Sequence, residues 1–477
     1  MATTIISTPN LLSPMQDLYG NYFLLGNPSY SLTNFKYLTK LYAYDPANAG
    51  TTFSYLVQEN VPPRPTTGYG LYSPYNSLLT LLSYQLDPFI GSPTLPTGNT
   101  VLYYINYGIE YNPGLTISTV LDTIVGATGY FGFSFSSPTS VQVGDLITIT
   151  TQNGFFGGTA TVAGVLTPNS FYTNLPFTAS GTYSTGTITD LQRWEGTSSA
   201  YYGYNGTRQY GNQNINYYNT LVMGTSSIQP FLTDWPVSKK KYILASQYET
   251  LSFFINRTYF NSIGVNFIIT YAYYDSTGAT ISTYQVAQSP NTYLIEKWDI
   301  PVFTPFHTVP SNTNNFSIYV GYDTTGTPAA SETRYYHIDT DCSIYNNVRI
   351  MWMNSYGSWD YFNFRLDDMK TYDITRNEYK QVLPYNYTTG ARQRTIQSQM
   401  VAEQHVVNTN FISETTYGFL SQLLLSPEVY VLDETNLVPL PIIITDSSFE
   451  FKTANRDVIF NLTLTYQMSF DIQTQKQ

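Results

Sequence analysis

The sharpest alternation of apolar and polar positions lies at residues 349–364, RIMWMNSYGSWDYFNF. Arg349, Met351 and Met353 alternate with Ile350, Trp352 and Asn354, the period-2 spacing of a strand. Residues 354–358 supply turn chemistry, and Trp359, Tyr361 and Phe364 follow. The stretch therefore reads as a β-hairpin with rings on facing strands. Upstream, residues 34–45 alternate in the same way and predict a strand, with 51–58 as its partner. Pro62-Pro63-Arg64-Pro65 is extended and cannot sit in a central strand. Gly68-Tyr69-Gly70 is a turn. Residues 73–84 predict one of few helices: Ser73 as N-cap, Pro74 in the first turn, and Leu78, Leu81 and Leu82 on one face.

The pattern changes at residues 114–195, which lose most charge and gain Gly, Thr and Val. Residues 141–150, 158–166, 171–177 and 186–189 read as four short strands, with turns at 153–154, 157–158, 168–169 and 180–181. This predicts a small closed barrel inserted into a first β domain made of 1–113 and 196–233. The polar-aromatic stretch 201–223 either returns to that domain's sheet or forms an extended arm. Residues 234–368 carry nine candidate strands, with turns at 275–278 and 323–326, the spacing of a β-sandwich that the 349–364 hairpin closes. In 369–477, residues 394–410 supply one long strand or two. Ser413 caps a helix at 414–425 with Tyr417, Leu420, Leu423 and Leu424 facing inward, and Ser426-Pro427 stops it. Strands follow at 428–432, 439–445, 449–453 and 457–466. The expected fold class is mainly β and multidomain: antiparallel sandwiches, a small inserted barrel and a C-terminal α+β (strand–helix–strand) domain. No fixed-period repeat runs through the chain.

Composition alters this picture in one respect. Only 11% of the 477 residues are charged, against roughly 25% in a typical soluble domain. Thr, Ser, Asn, Gln and 46 Tyr must carry the surface polarity. Tyr is enriched at protein interfaces, so the balance suits a subunit covered by neighbours, with a secreted adhesin as the other reading. The net charge of −11 argues against sequence-specific nucleic-acid binding. The one basic run, Lys239-Lys240-Lys241, reads as a solvated strand entrance. A single cysteine, Cys342, leaves no internal disulfide. The first residues lack a signal-peptide pattern and no apolar run reaches the ~20 residues of a membrane span, so synthesis in the cytoplasm is expected.

No catalytic, cofactor or metal residues are expected. His307, His337 and His405 lack zinc spacing. His337 lies near Asp339, Asp341 and Cys342, a combination that favours a turn or strand edge over a metal, and His405 reads as half-buried in a strand. Asp360, Asp367 and Asp368 invite comparison with a paired-carboxylate hydrolase. Adjacent strand residues point to opposite faces, however, which separates Asp367 from Asp368. Nucleophile-elbow, Walker and dinucleotide motifs do not occur. The five glycosylation sequons, at Asn205, Asn256, Asn315, Asn386 and Asn461, are expected by chance in so Asn- and Thr-rich a chain. The clusters 201–204 and 271–274 suit sugar stacking, sheet faces or subunit contacts.

Three stretches carry a resemblance. They are 34–45 (NFKYLTKLYAYD) with 61–84; the W-x-N-x-x-G-x-x-D hairpin at 352–364; and 411–432, a short helix ending in S-P-x-V, before the P-x-x-I strand within 437–466. Together they resemble structural proteins of tailed bacteriophages, especially those of Bacteroidetes-type hosts. The barrel at 114–195 is not part of that pattern. The resemblance implies a virion protein made in the host cytoplasm and sited in the tail, neck or baseplate. Partners would be copies of itself in a homo-oligomeric ring, other phage tail, neck or baseplate proteins, and a host-surface glycan. Its C-terminal unit looks like folds of tail tubes and baseplate rings, where subunits lend sheet edges to one another. Trp352, Asn354, Gly357, Trp359, Asp360 and Phe364 would hold the third domain's core. Tyr417, Leu420, Leu424, Pro427 and Val429 would form the assembly end, and the barrel would face outward or touch an adjacent protein. The alternative is a receptor- or glycan-binding adhesin; a glycan-cleaving tail enzyme and a capsid decoration are further classes.

Overall fold

Strands dominate the computed structural model, as a chain so rich in Tyr, Thr, Phe and Ile favours. The structure describes residues 2–16, 22–44, 53–96, 98–125, 128–151, 158–176, 186–207, 217–224, 228–245, 247–257, 266–289, 295–302, 308–322, 329–340, 347–366, 368–445 and 459–473. His307, Asp341, Cys342, Asp367, the strand expected at 449–453, most of the turn at 153–158, and the turns at 180–181 and 323–326 lie outside them. The chain forms two compact units, residues 1–83 with 97–218, and 84–96 with 219–477.

In the first unit, six strands close into a barrel: Leu115–Val125, Thr128–Phe135, Ser170–Pro176, Gly158–Thr167, Leu146–Thr151 and Gly186–Thr197. The first two were not expected from the sequence. Side chains of Ile117, Phe133, Ile147, Ile149, Phe171 and Ile188 are buried together within the same core, as in small barrels filled by their own residues. Gly186–Thr197 runs on to pair with Thr100–Tyr111, which also pairs with Lys36–Tyr44 and Tyr201–Thr207. Residues 201–207 thus return to the first sheet. Gly108 is needed at this junction, because a Cβ there would lie 1.9 Å from the Arg193 carbonyl oxygen. Ser54–Val61 pairs with Lys36–Tyr44 in the expected hairpin. The turn at 68–70 is fixed by Tyr37, whose hydroxyl donates to the Gly68 carbonyl at 2.7 Å. The helix expected over 73–84 spans only Tyr75–Leu79, with Pro74 rather than Ser73 at its N-cap. Its five residues make little more than one turn and gain little without a side-chain cap.

The second unit begins with a sandwich. A five-stranded sheet, ordered Lys241–Leu244, Arg334–Asp339, Asn315–Tyr322, Phe267–Tyr274 and Thr280–Gln288, shares a core with a three-stranded sheet of Val222–Met223, Thr250–Asn256 and Ile295–Pro301. Ile269, Tyr271, Ile318 and Ile338 meet Phe253, Ile255 and Ile300 in that core. The predicted hairpin forms, Val348–Met353 against Trp359–Phe364, with Met353 opposite Trp359. It does not close the sandwich. Its strand partner is Val429–Asp433, and it forms one end of an eight-stranded sheet continuing through Val438–Ile444, Thr463–Met468 and Arg394–Asn408 to Asp368–Lys380. The helix Glu414–Leu425 packs on this sheet as expected, with the Ser413 side chain accepting from the Thr416 amide.

Candidate functional site

Two places in the second unit concentrate chemistry. The first is the inner hairpin 348–364, where ions are buried in a chain that has few. Arg349 is 2% exposed. Its guanidinium donates to Glu249 Oε2 at 2.9 Å, the Tyr248 carbonyl at 2.9 Å, Gln247 Oε1 at 3.1 Å and Asn363 Oδ1 at 2.8 Å, and its Nε lies 3.4 Å from Glu434. Glu249 also accepts from Lys241 Nζ at 2.7 Å. Lys241 is thus buried, not the solvated entrance its basic run implied; burial lowers its pKa, and Glu249 and Asp360 oppose that shift. Such ions persist in an interior only when paired and hydrogen-bonded.

The turn of the hairpin is held from several sides. The Asn354 side-chain oxygen accepts from the Tyr356 and Ser358 amides, and its nitrogen donates to Asp360 Oδ2 at 2.9 Å and the Leu232 carbonyl at 2.8 Å. Gly357 supplies the positive φ of 68° that the turn requires. Its carbonyl accepts from Lys297 Nζ at 2.8 Å. Asp360 accepts from Thr233. Burial pushes its carboxyl up to about 6, against the pull of Lys241. Trp359 Nε1 donates to the Gln85 carbonyl, and the Trp352 ring packs 5.1 Å from Phe419 of the helix. A void of about 10 Å³ beside Lys241 and Glu249 has room for one water. Most of the network's donors and acceptors find partners among its own members, while Arg349 Nε, Trp352 Nε1 and Ser358 Oγ are buried without a hydrogen bond.

The expected site residues fall mostly inside this construction. Trp352, Asn354, Gly357, Trp359, Asp360, Phe364, Tyr417, Leu420 and Val429 are buried; Leu424 is half-buried and Pro427 exposed. Asp360 and Asp368 belong to strands at opposite ends of the sheet. His337 Nδ1 lies 3.0 Å from Asn315 Oδ1, and Asp339 pairs with Arg365. Among the described residues no cluster suits a metal ion. Tyrosines are spent first on the interior: among the described residues sixteen are buried and eleven exposed. Four of those eleven, Tyr372, Tyr379, Tyr385 and Tyr387, lie in 368–408.

That region is the second place, an arm the sequence reading missed in half. Asp368–Lys380 and Arg394–Asn408 pair along thirteen residues. Among the described residues, Thr463–Met468 and Ile472–Gln473 flank the second strand as far as Met400, and 376–399 continues there as a two-stranded ribbon and tip. Its base is pinned by His405, which is 7% exposed rather than half-buried. The imidazole stacks on Tyr466 at 5.0 Å and bonds Asp368 and Glu403, each at 2.9 Å. At the tip Val382 is 97% exposed and Tyr385 fully so. Among the described residues, the outer edge of Asp368–Lys380 has no strand partner.

Fold and site together define a mainly β protein of several sheets with a projecting hairpin. No family model matches the chain, and no curated protein matches it. Among solved structures, dimeric latent PorU from Porphyromonas gingivalis is similar at 8% identity, over 70% of this chain and 33% of that one, with a TM-score of 0.15. The chain therefore spans about a third of that protein's length, and a likeness at this level carries no argument about fold or function. No helix among the described residues is long and apolar enough to cross a membrane.

Proposed function

We propose that this chain is a structural component of a bacteriophage virion, in the tail or the tail-neck or baseplate assembly, where copies form a ring or platform that docks neighbouring proteins. The observation that supports it most is the arm. A long unpaired edge bearing exposed Met369, Tyr372, Ile374 and Tyr379 is a hazard for a solitary chain and a contact for an assembled one. The sequence resemblance to tailed-phage structural proteins points the same way. Electron microscopy of the purified protein and of particles tests it: rings or platforms with arms ordered against neighbours are expected, and a monomer absent from particles would overturn it.

A second reading has one observation in its favour. The tip residues Gln381, Tyr385, Tyr387 and Gln393 stand together on an open surface, with exposed rings on which sugars could stack. A glycan-binding adhesin would bind sugars through this tip, and a glycan array with Tyr385→Ala as control separates it from the first reading.

A further inference from the structure

The edge strand Asp368–Lys380 is charged out of proportion to the chain. Six of its thirteen residues ionise, in a protein with 11% charged residues. Their signs alternate: Asp368, Lys370, Asp373, Arg376, Glu378, Lys380. The strand is regular, because the one irregularity of the arm falls on the opposite strand, where Gln397 is skipped between Ser398 and Ile396. We infer that this edge is built to pair with the same edge of a second copy of the chain, antiparallel, about a two-fold axis through Ile374.

The register follows from the sequence. A two-fold normal to an antiparallel pair passes through a residue opposed to its own copy. Placed at Ile374, the midpoint of the strand, the axis pairs all thirteen residues. Asp368 then faces Lys380 of the second copy, Lys370 faces Glu378, Tyr372 faces Arg376, and Ile374 faces itself. These are cross-strand combinations that stabilise a sheet: two ion pairs, a cation on a ring and an aliphatic pair, all on one face. On the other face Met369 meets Tyr379 and Thr371 meets Asn377. Neighbouring axes fail. One through Asp373 opposes Asp368 to Glu378, Lys370 to Arg376 and Asp373 to itself. One through Thr375 opposes Lys370 to Lys380.

The existing contacts within the chain survive. Lys370 keeps Glu403 on its inner side, and Asp368 keeps His405. The same register carries the tip past Asp368 of the second copy, toward that copy's body, which accounts for exposed Val382 and Tyr385 as groups awaiting cover. By contrast, the exposed edge strand Thr280–Gln288 of the five-stranded sheet has no charge at all and so encodes no register. The contact is isologous and joins chains in pairs. It does not depend on the virion reading; within a ring assembly it would join two rings back to back.

Cysteine crosslinking of the full chain tests the register. Directly opposed residues have Cα atoms about 4.5–5.5 Å apart, within disulfide reach. Ile374→Cys should give an oxidised dimer of twice 53.9 kDa. Thr371→Cys, whose copies would lie about 20 Å apart, should not; Cys342 is common to both. In sedimentation, Lys380→Glu should weaken pairing about tenfold, since the altered contact occurs twice. Equal crosslinking at 371 and 374, none at 374, or association indifferent to Lys380→Glu would each overturn the proposal, whether or not the protein forms rings.

Discussion

The inner hairpin 348–364 and the arm 368–408 are neighbours in sequence and opposite ends of one sheet, yet their side chains are put to opposite uses. In the hairpin every residue of the strand Val348–Met353 is buried, and its Arg349 is paired with buried Glu249 inside the chain. In the arm nearly every residue of Asp368–Lys380 is exposed, and the ions stand in a row on an open edge. Hydrogen-bonded ladders alone do not distinguish the two. What differs is whether the chain itself supplies the covering surface. The lesson is that aromatic abundance by itself does not mark an interface: most of the rings that first suggest one, Trp352, Tyr361 and Phe364 among them, complete the chain's own core.

That contrast breaks most sharply at Arg349. Arg349→Ala leaves buried Glu249 without one of its two cationic partners and should cost about 3–5 kcal/mol, read from denaturant midpoints; a loss below about 1 kcal/mol would mean that the network is not holding the hairpin. Trp352→Ala should cost a similar amount, about 3–5 kcal/mol, through the cavity opened against Phe419.

Acid sharpens the same comparison. The folded carboxyl of Asp360 is raised from 3.8 to about 6, so the folded state binds a proton that the unfolded state releases between those values. This contribution to stability is fullest below about pH 4 and is lost as pH rises through about 6, by about 3 kcal/mol. Asp360→Asn should flatten that slope in midpoints measured across the window, and an unchanged slope would place the titration elsewhere. A smaller effect is expected at the helix, where Ser413→Ala removes the N-cap and should cost about 1 kcal/mol. Smallest of all, Tyr385→Ala at the arm tip should change stability by less than about 0.5 kcal/mol; a larger loss would show the tip packed within its own chain.

Much of the hairpin and of the helix 414–425 was legible because each advertises itself locally. Alternation flanks the Asn354–Gly357 turn, and Ser413 precedes a run of leucines that Pro427 ends. The arm's first strand was not legible for a physical reason: with neither face on a core, nothing selects a period-2 alternation, and the apolar residues of Asp368–Lys380, Met369, Tyr372, Ile374 and Tyr379, follow none. Leu115–Val125 and Thr128–Phe135 escaped similarly, their alternation diluted by Gly and Thr. The burial of Lys241 was invisible because its partners, Glu249 and Asp360, reach it only through tertiary pairing. For the same reason the hairpin's true partner, Val429–Asp433, could not be read from strand spacing, which says nothing about which distant edge a strand joins.

Amide hydrogen exchange over a protein dilution series tests the division of labour most directly. The account predicts that the edge amides of 368–380 gain protection as concentration rises, while those of 348–364 stay equally protected throughout. Protection of the arm that never varies with concentration, or a hairpin that loses protection on dilution, would contradict it.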